Sequence, residues 1–596
     1  MLQRLILLCL VQLSISFEIK PFLESCDFYK EIIIQCSNIG ELKDLQDVKE
    51  TLSVQEEVIK ELNKDEKHKL EFLNKYLESC AILKKSILCS NIIEKPKILE
   101  APKSTSCDVN DSNQLICQDF NSNEKSLGIL HSNQSDIIFR NSKIQELNKQ
   151  FMKYFPKANT YTFENSELTF LEPSEVETSG INDESFVEKV EFQSCTLKNL
   201  QNFGYSFASS HLKKISFDNT SFEDREIPTE MFSHCQGVQE IKINKCDIND
   251  VEEGAFDRLV GLRKLTLQDN PIESLPKDLF KENKELKELK IISCSLHELS
   301  VDLPHSLEEL TIAKNVIPSI QAESFEHLSR LEHLSLDENS IKTVEYGSFH
   351  HMPKIRTIQL RNNKLTQIKA GQFSNLTNLL KLNFQGNEIR TVDPKAFWNV
   401  SSLFELDLSR NNLKGIAFQS IVKSLRTLDL SANEIADVAK IENVHNIEDL
   451  ENLNLALNSI SLLGRRSFAG FRSLKILTLT GNKISQMNEN AFPLAGNIQH
   501  LYLDKNNLTV IHKNLFRRQK ELRGLSLADN NIDYLDDGIF RNCRKLRVLN
   551  LQNNKIKSLS KKHFEGMVEL ETVDMRGNHI QNFDKNWLYN VTVLDY

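Results

Sequence analysis

Asn458, Asn482, Asn506, Asn530, Asn554 and Asn578 stand 24 residues apart, and the same phrase leads into each of them. Leu474-x-x-Leu477-x-Leu479-x-x-Asn482 is one copy and Leu546-x-x-Leu549-x-Leu551-x-x-Asn554 another. A period this regular restricts the fold more than any other feature, because each copy must be one structural unit stacked on the next. Leu477 and Leu479 alternate, so both face one side of a short strand. The asparagine amide offers one acceptor and two donors, enough to satisfy backbone groups of its own turn and of the next unit. Fourteen residues before the asparagines stand Phe468, Phe492, Phe516, Phe540 and Phe564, predicting an aromatic column on the returning side of each coil. One coil cannot bury its own apolar face, whereas stacked coils share a continuous core.

Upstream the pattern is irregular. The ladder position falls at Ser142, Ser166, Cys195, Thr220 and Cys246 before Asn270, then at Cys294, Asn315, Asn339, Asn363, Asn387, Asn411 and Asn433, for nineteen positions through Asn578. The coil between Ser166 and Cys195 has room for a loop over Glu172 to Asp183. The coils ending at Asn315 and Asn433 are short on their returning side. After Leu588 and Leu594 the chain stops at Tyr596, so residues 584–596 are expected either to fold over the apolar end or to belong to a longer chain.

Ahead of the repeats, Cys26 and Cys36, Cys80 and Cys89, and Cys107 and Cys117 form three closely spaced pairs. Glu24-Ser-Cys26 with Cys36-Ser-Asn-Ile39 matches Glu78-Ser-Cys80 with Cys89-Ser-Asn-Ile92, an internal duplication. In an oxidising compartment the six are disulfide candidates, nearest-neighbour pairing being favoured among fifteen connectivities. Residues 1–16 read as a secretory signal, with Arg4, the apolar run Leu5 to Leu13 and cleavage after Ser16. No later stretch is apolar for the roughly 18 residues of a membrane helix, so no membrane span is expected. Glu41 to Glu78, with interrupted heptads, reads as a helical hairpin packed on itself or on the cap rather than as an oligomerising coiled coil. Signal removal leaves eleven cysteines. Cys195, Cys246 and Cys294 read as buried free thiols, while Cys235 and Cys543 read as packed thiols with bridging to a partner chain as the alternative. A homo- or heterodimer therefore stays open.

A net charge of −10 and a pI near 5.9 count against a nucleic-acid partner. No G-x-S-x-G, H-E-x-x-H, Gly-rich phosphate loop or C-x-x-C occurs, so no catalytic residue, cofactor site or metal ligand is assigned and no enzyme is expected. What remains is surface. Leu380 and Phe404 occupy one register on adjacent coils, with Arg356 and Arg361 on the coil before them; Tyr502, Ile292, Leu457 and Ile476 are further apolar or aromatic residues at positions expected to face solvent. An aromatic beside arginines has the composition of a binding hot spot; scattered surface apolarity is the plainer reading. Sequons at Asn110, Asn133, Asn219, Asn375, Asn399, Asn507 and Asn590 are candidate glycosylation sites, and most are expected to shield the side away from the strands.

The phrase with its phenylalanine column resembles the typical extracellular leucine-rich repeat family, and among secreted members it is similar to insect leucine-rich immune proteins and Toll-like receptor ectodomains. That resemblance implies an α/β solenoid, a horseshoe of about nineteen coils with a parallel concave sheet, preceded by a small disulfide-linked helical N-terminal region (residues 17–106) and a cap (107–130), with repeats over 131–596. It further implies a secreted recognition protein that binds a protein or a microbial surface component through its concave face. A cell-surface or matrix adhesion protein whose anchor is missing is the alternative.

Overall fold

The computed structural model describes residues 106–595 apart from 123–133, 153, 156, 172–185, 419–423, 494–495 and 582, together with four short strands nearer the N terminus. The signal, the segment Glu41 to Glu78, the loop Glu172 to Asp183 and Asn133 lie outside the described residues.

Residues 1–104 form one compact unit and residues 105–596 a second. In the first, Cys26–Tyr29 pairs antiparallel with Ile33–Cys36, and Cys80–Leu83 with Ser86–Cys89. Cys26 faces Cys36 and Cys80 faces Cys89 as direct cross-strand partners. The duplicated words thus encode two matching hairpins, joined through Ile34↔Ile87 and Gln35↔Ser86 into one four-stranded sheet. The described part of the cysteine-paired region is strand, and the helix expected over Glu41 to Glu78 lies outside the described residues. A cysteine at each outer end of a hairpin sets the two residues of a pair opposite each other on one ladder rung, and Ile33, Ile34, Ile82 and Ile87 are residues that favour strands. Ser106–Val109 and Leu115–Gln118 make a third hairpin of the same design in the second unit, with Cys107 and Cys117 joined by a disulfide.

From that hairpin one parallel sheet runs through the repeats, from Asp136–Arg140 to Thr592–Leu594. Every ladder residue from Ser142 to Asn578 follows a strand of this sheet. The residue before it takes a left-handed backbone in coil after coil: Asn165, Asp269, Asn362, Arg410, Lys505 and Asn553, with φ of 50–55°. This turn sends the chain from the sheet into the core. Asn482 then holds two coils together. Its Nδ2 donates to Leu455 O (2.8 Å) and Leu479 O (3.0 Å), and its Oδ1 accepts from Ile460 N (3.0 Å). The ladder ties each coil to the preceding one, not to the next as expected, because the asparagine lies under the earlier coil's turn.

The core is continuous. Leu477, Leu479, Leu501 and Leu503 are wholly buried, as are the column residues Phe468 and Phe516. Column rings stack between neighbours, Phe468 on Phe492 at 6.1 Å and Phe516 on Phe540 at 5.6 Å. The returning segments carry 3-10 turns and two-residue strands rather than α-helices. Among the described residues α-helix is confined to Lys149–Met152 and Phe203–Ser206, so the solenoid is a β-structure rather than α/β. A 24-residue coil spends its length on strand, ladder turn and phenylalanine turn, which leaves no span for a helix of useful length. In the two short coils a serine bridges the gap to the preceding coil: Ser306 Oγ donates to Leu286 O and Ser424 Oγ to Leu403 O, both at 2.8 Å. At the end, Lys585–Leu588 forms a 3-10 turn and Thr592–Leu594 pairs in parallel with Thr572–Asp574. Residues 584–595 add a coil instead of folding over the stack.

Candidate ligand-binding surface

The strand register builds one column across the sheet: Gln359, Asn383, Asp407, Asp429, Asn454 and Thr478 are consecutive cross-strand partners, and Tyr502 follows. This part of the face is polar and largely satisfied from within. Asn383 Nδ2 donates to Asp407 Oδ2 (3.3 Å) and Asn454 Nδ2 to Asp429 Oδ2 (2.9 Å), while Asp407 and Asp429 each accept from the backbone N–H two residues on. Burial raises the Asp407 carboxyl above the usual range, with Asp429 and Glu405 adding to it against the opposing hydrogen bonds from Ser409. These aspartates brace the turn after the strand. Among the described residues no group of three or more His, Cys, Asp or Glu could hold a metal ion.

The exposed apolar pair Leu380 and Phe404 lies beside the face rather than on it. Leu380 and Phe404 each stand one residue before their strands, Lys381–Asn383 and Glu405–Asp407. They are stacked as their register requires: Phe404 N donates to Leu380 O and Leu380 N to Arg356 O, both at 2.8 Å, and Arg426 N donates to Phe404 O at 2.9 Å. Leu380 is 38% and Phe404 49% exposed. The result is an apolar pair bracketed by Arg356, which pairs with Glu332 at 3.0 Å, and Arg426, which pairs with Asp449 at 3.8 Å.

The structure separates the other expected members. Arg361 lies beyond the far end of its strand, where its guanidinium donates twice to the buried Asp337 (2.9 and 2.7 Å). Tyr502 is on the face itself, four coils from Asp407 and beside His500 with ring centroids 6.4 Å apart. Leu457 sits in the left-handed turn past its strand, Ile476 begins its strand, and Ile292 ends its own. Strand alternation places residues on a face but says nothing about those just outside the strand, which is why five positions read as one surface divide into three.

Trp398, 53% exposed, escaped the sequence reading; its signal was its place one residue after Phe397 of the aromatic column. It opens the segment 398–404, Trp-Asn-Val-Ser-Ser-Leu-Phe, which like 374–380, Ser-Asn-Leu-Thr-Asn-Leu-Leu, carries no ionisable side chain. Asn375 and Asn399 lie in these two segments, exposed, with Asn399 Nδ2 donating to Asn375 Oδ1 at 3.0 Å. Glycans on this pair would border the apolar rim instead of standing clear of it. Asn219, Asn507 and Asn590 are also exposed, while Asn110 braces its hairpin turn by accepting from Ser112 N and Gln114 N.

All five cysteines of the array are buried free thiols. Burial pushes Cys195 and Cys294 up to about 11 and Cys246 up to about 12, and each ladder thiol donates to backbone carbonyls, as Cys246 does to Asn244 O. Cys235 and Cys543 are wholly buried and likewise pushed up to about 12, so neither presents a sulfur to a partner chain.

Two family descriptions match the repeats. Leucine rich repeat matches residues 305–365, 353–413, 423–484, 448–508, 472–532, 496–547 and 520–580, and BspA type Leucine rich repeat region (6 copies) matches 205–303. The chain belongs to the leucine-rich repeat proteins. Comparison with curated proteins finds no match. Among solved structures, Toll of Drosophila in its complex with Spatzle is similar, with a TM-score of 0.57 at 19% identity over 79% of this chain and 61% of that one. The glycosylated form of that complex gives 0.59 at 19% identity, over 78% and 61%. A leucine-rich repeat protein of Leptospira interrogans gives 0.49 at 22% identity, over 64% and 90%. The present chain thus spans about 61% of the length of the Toll chain it matches. No helix among the described residues is long and apolar enough to cross a membrane.

Proposed function

We propose that this protein is a secreted, non-enzymatic recognition protein that acts in innate immunity by binding a protein or microbial-surface ligand. The observation that carries the reading is the apolar rim of Leu380 and Phe404 on two stacked, uncharged coil segments bracketed by Arg356 and Arg426, with Trp398 exposed at the start of the second segment. Aromatic and arginine side chains dominate binding energy at interfaces, and a solvated chain that keeps charge on most other coils has no folding reason to clear it here. The polar column of Asn383, Asp407 and Asp429 lies next to the rim and supplies hydrogen-bonding groups for orientation. Toll shares the fold and is found with the protein Spatzle; a protein ligand for this chain accords with that use of the solenoid. Release from the cell accords with the signal read over residues 1–16, and the two hairpin registers support nearest-neighbour disulfides Cys26–Cys36 and Cys80–Cys89.

The test is capture from the native extracellular fluid on the immobilised protein, wild type beside Phe404→Glu. A carboxylate at the centre of the rim is expected to remove the specific partner while the circular dichroism and urea midpoint stay unchanged, since Phe404 is half exposed. Retention of the same partner by the variant would remove the rim from the proposal.

A further inference from the structure

Outside the rim the coils follow a charge rule. Where each coil enters its strand, at the last residue before the strand or the first within it, a basic residue is commonly matched by an acidic one on the neighbouring coil. Lys214 pairs with Glu240, Lys264 with Glu288, Lys287 with Glu308, Lys381 with Glu405 and Lys475 with Glu451, at 2.6–2.8 Å. Opposite signs on adjacent rungs offset each other, and like signs repel.

Two consecutive segments depart from the rule along their whole length. Residues 517–523 (Arg-Arg-Gln-Lys-Glu-Leu-Arg) and 541–547 (Arg-Asn-Cys-Arg-Lys-Leu-Arg) carry eight basic residues and one acid in a chain whose net charge is −10. Their register stacks like on like: Arg517 beside Arg541, Lys520 beside Arg544 and Arg523 beside Arg547. Arg547 N donates to Arg523 O at 2.8 Å, which fixes that neighbourhood. Glu521, the single acid, is taken by Lys545 at 2.6 Å. Arg541 and Arg547 find Glu565 and Glu569 on the following coil. Arg517, Arg518, Lys520, Arg523 and Arg544 are exposed and have no ion-pair partner among the described residues.

We propose that this flank binds a linear sulfated polysaccharide of the glycosaminoglycan type. Three stacked like-charge pairs on two consecutive coils, with one acid among them, concentrate repulsion, and a polyanion lying across both coils converts that repulsion into binding. The two segments contain no Phe, Tyr or Trp, so they offer no stacking platform of the kind a single-stranded nucleic acid uses. Clustered Lys and Arg without aromatics suit a saccharide whose recognisable groups are sulfates held at regular intervals along a chain. The site is independent of the apolar rim and does not rest on the function proposed for it.

The experiment immobilises size-defined heparin fragments and measures binding of the full chain over a salt series. Arg523→Ser/Arg547→Ser is compared with the wild type, and a second pair, Lys287→Ser/Lys381→Ser, removes matched cations elsewhere. The flank variant is expected to bind at least tenfold more weakly with a shallower salt dependence, and to unfold at an equal or higher urea midpoint because like charges have been separated. The control pair is expected to bind heparin as the wild type does. Equal loss in both variants would reduce the effect to bulk charge and overturn the proposal. So would unchanged binding by the flank variant, or double-stranded RNA displacing the protein from heparin at lower charge concentration than free heparin does.

Discussion

Replacing Asn482 by alanine isolates what the ladder contributes. Three bonds are lost, but they are not equivalent. Leu455 O keeps a second donor in Asn458 Nδ2 (3.2 Å), and Leu479 O keeps Asn506 Nδ2 (3.0 Å). Ile460 N has no such reserve among the described residues: Asn482 Oδ1 is its acceptor, and Ile460 is wholly buried, so water does not take its place. An orphaned buried donor costs about 1–3 kcal/mol, and weakening two carbonyls that remain bonded adds a fraction of that. The expected loss is about 2–3 kcal/mol, concentrated on the turn of the preceding coil. Stacked repeats need not unfold as one unit, so the unfolding midpoint alone is an incomplete assay. Hydrogen exchange resolved at the Ile460 amide reads the site directly, and a loss of that size predicts exchange faster by about 30- to 140-fold. If the Ile460 amide keeps its protection and the urea midpoint and slope do not move, the ladder does not stabilise the array in the way its geometry requires.

Other outcomes follow from single residues. Asp407→Asn is expected to raise the unfolding midpoint near neutral pH and to lose that advantage at acid pH. The Asp407 carboxyl is raised in the folded state, so its ionisation penalises the fold above its folded pKa and disappears below the ordinary aspartate value of about 3.9; a midpoint difference that persists there would refute the assignment. The five array cysteines, with thiols pushed up to about 11 or 12, should resist alkylation in the native protein and react together once it is denatured, and native labelling of Cys235 or Cys543 would contradict their burial. Leu457 holds a left-handed backbone (φ 54°) with its side chain 61% exposed, so Leu457→Asn should stabilise by about 0.5–1 kcal/mol; a lower midpoint would show that its contact over Gly481 outweighs the backbone strain.

The parts of the fold that were legible in the sequence are those governed by period. Leu477, Leu479, Asn482 and Phe468 recur at fixed offsets, and the offset dictates strand, ladder and column before any coordinate is known. The hairpins at Cys26 and Cys80 were legible as a duplication but not as strands, because four-residue segments such as Cys80-Ala-Ile-Leu are too short for periodicity to separate strand from helix. Leu380 and Phe404 were legible as neighbours, since neighbourhood follows from register. Their position was not, since a residue one place before a strand obeys no alternation. Arg361 misled for a related reason. Its spacing from Arg356 spans the strand, so two arginines of one coil stand at opposite ends of the sheet, and Asp337, one coil earlier, claims the second.

A solenoid makes exceptions informative, because each residue is compared with its counterparts one coil away. Charge where the coils enter their strands is commonly matched on the neighbouring coil, as Lys381 is by Glu405 and Lys475 by Glu451, and that matching offsets repulsion between stacked rungs. The rule fails in two opposite senses at the same register. Residues 374–380 and 398–404 carry no ionisable group, and residues 517–523 and 541–547 carry basic groups facing basic groups. The coil of Leu522 is five steps beyond the coil of Leu403, about 24 Å along the sheet at roughly 4.8 Å per step. At that separation the two departures cannot compensate each other through the packing, so neither is explained as relief for the other. Each needs its own cause, and a cleared apolar rim and an uncompensated basic flank on one side of the array call for ligands of different chemistry.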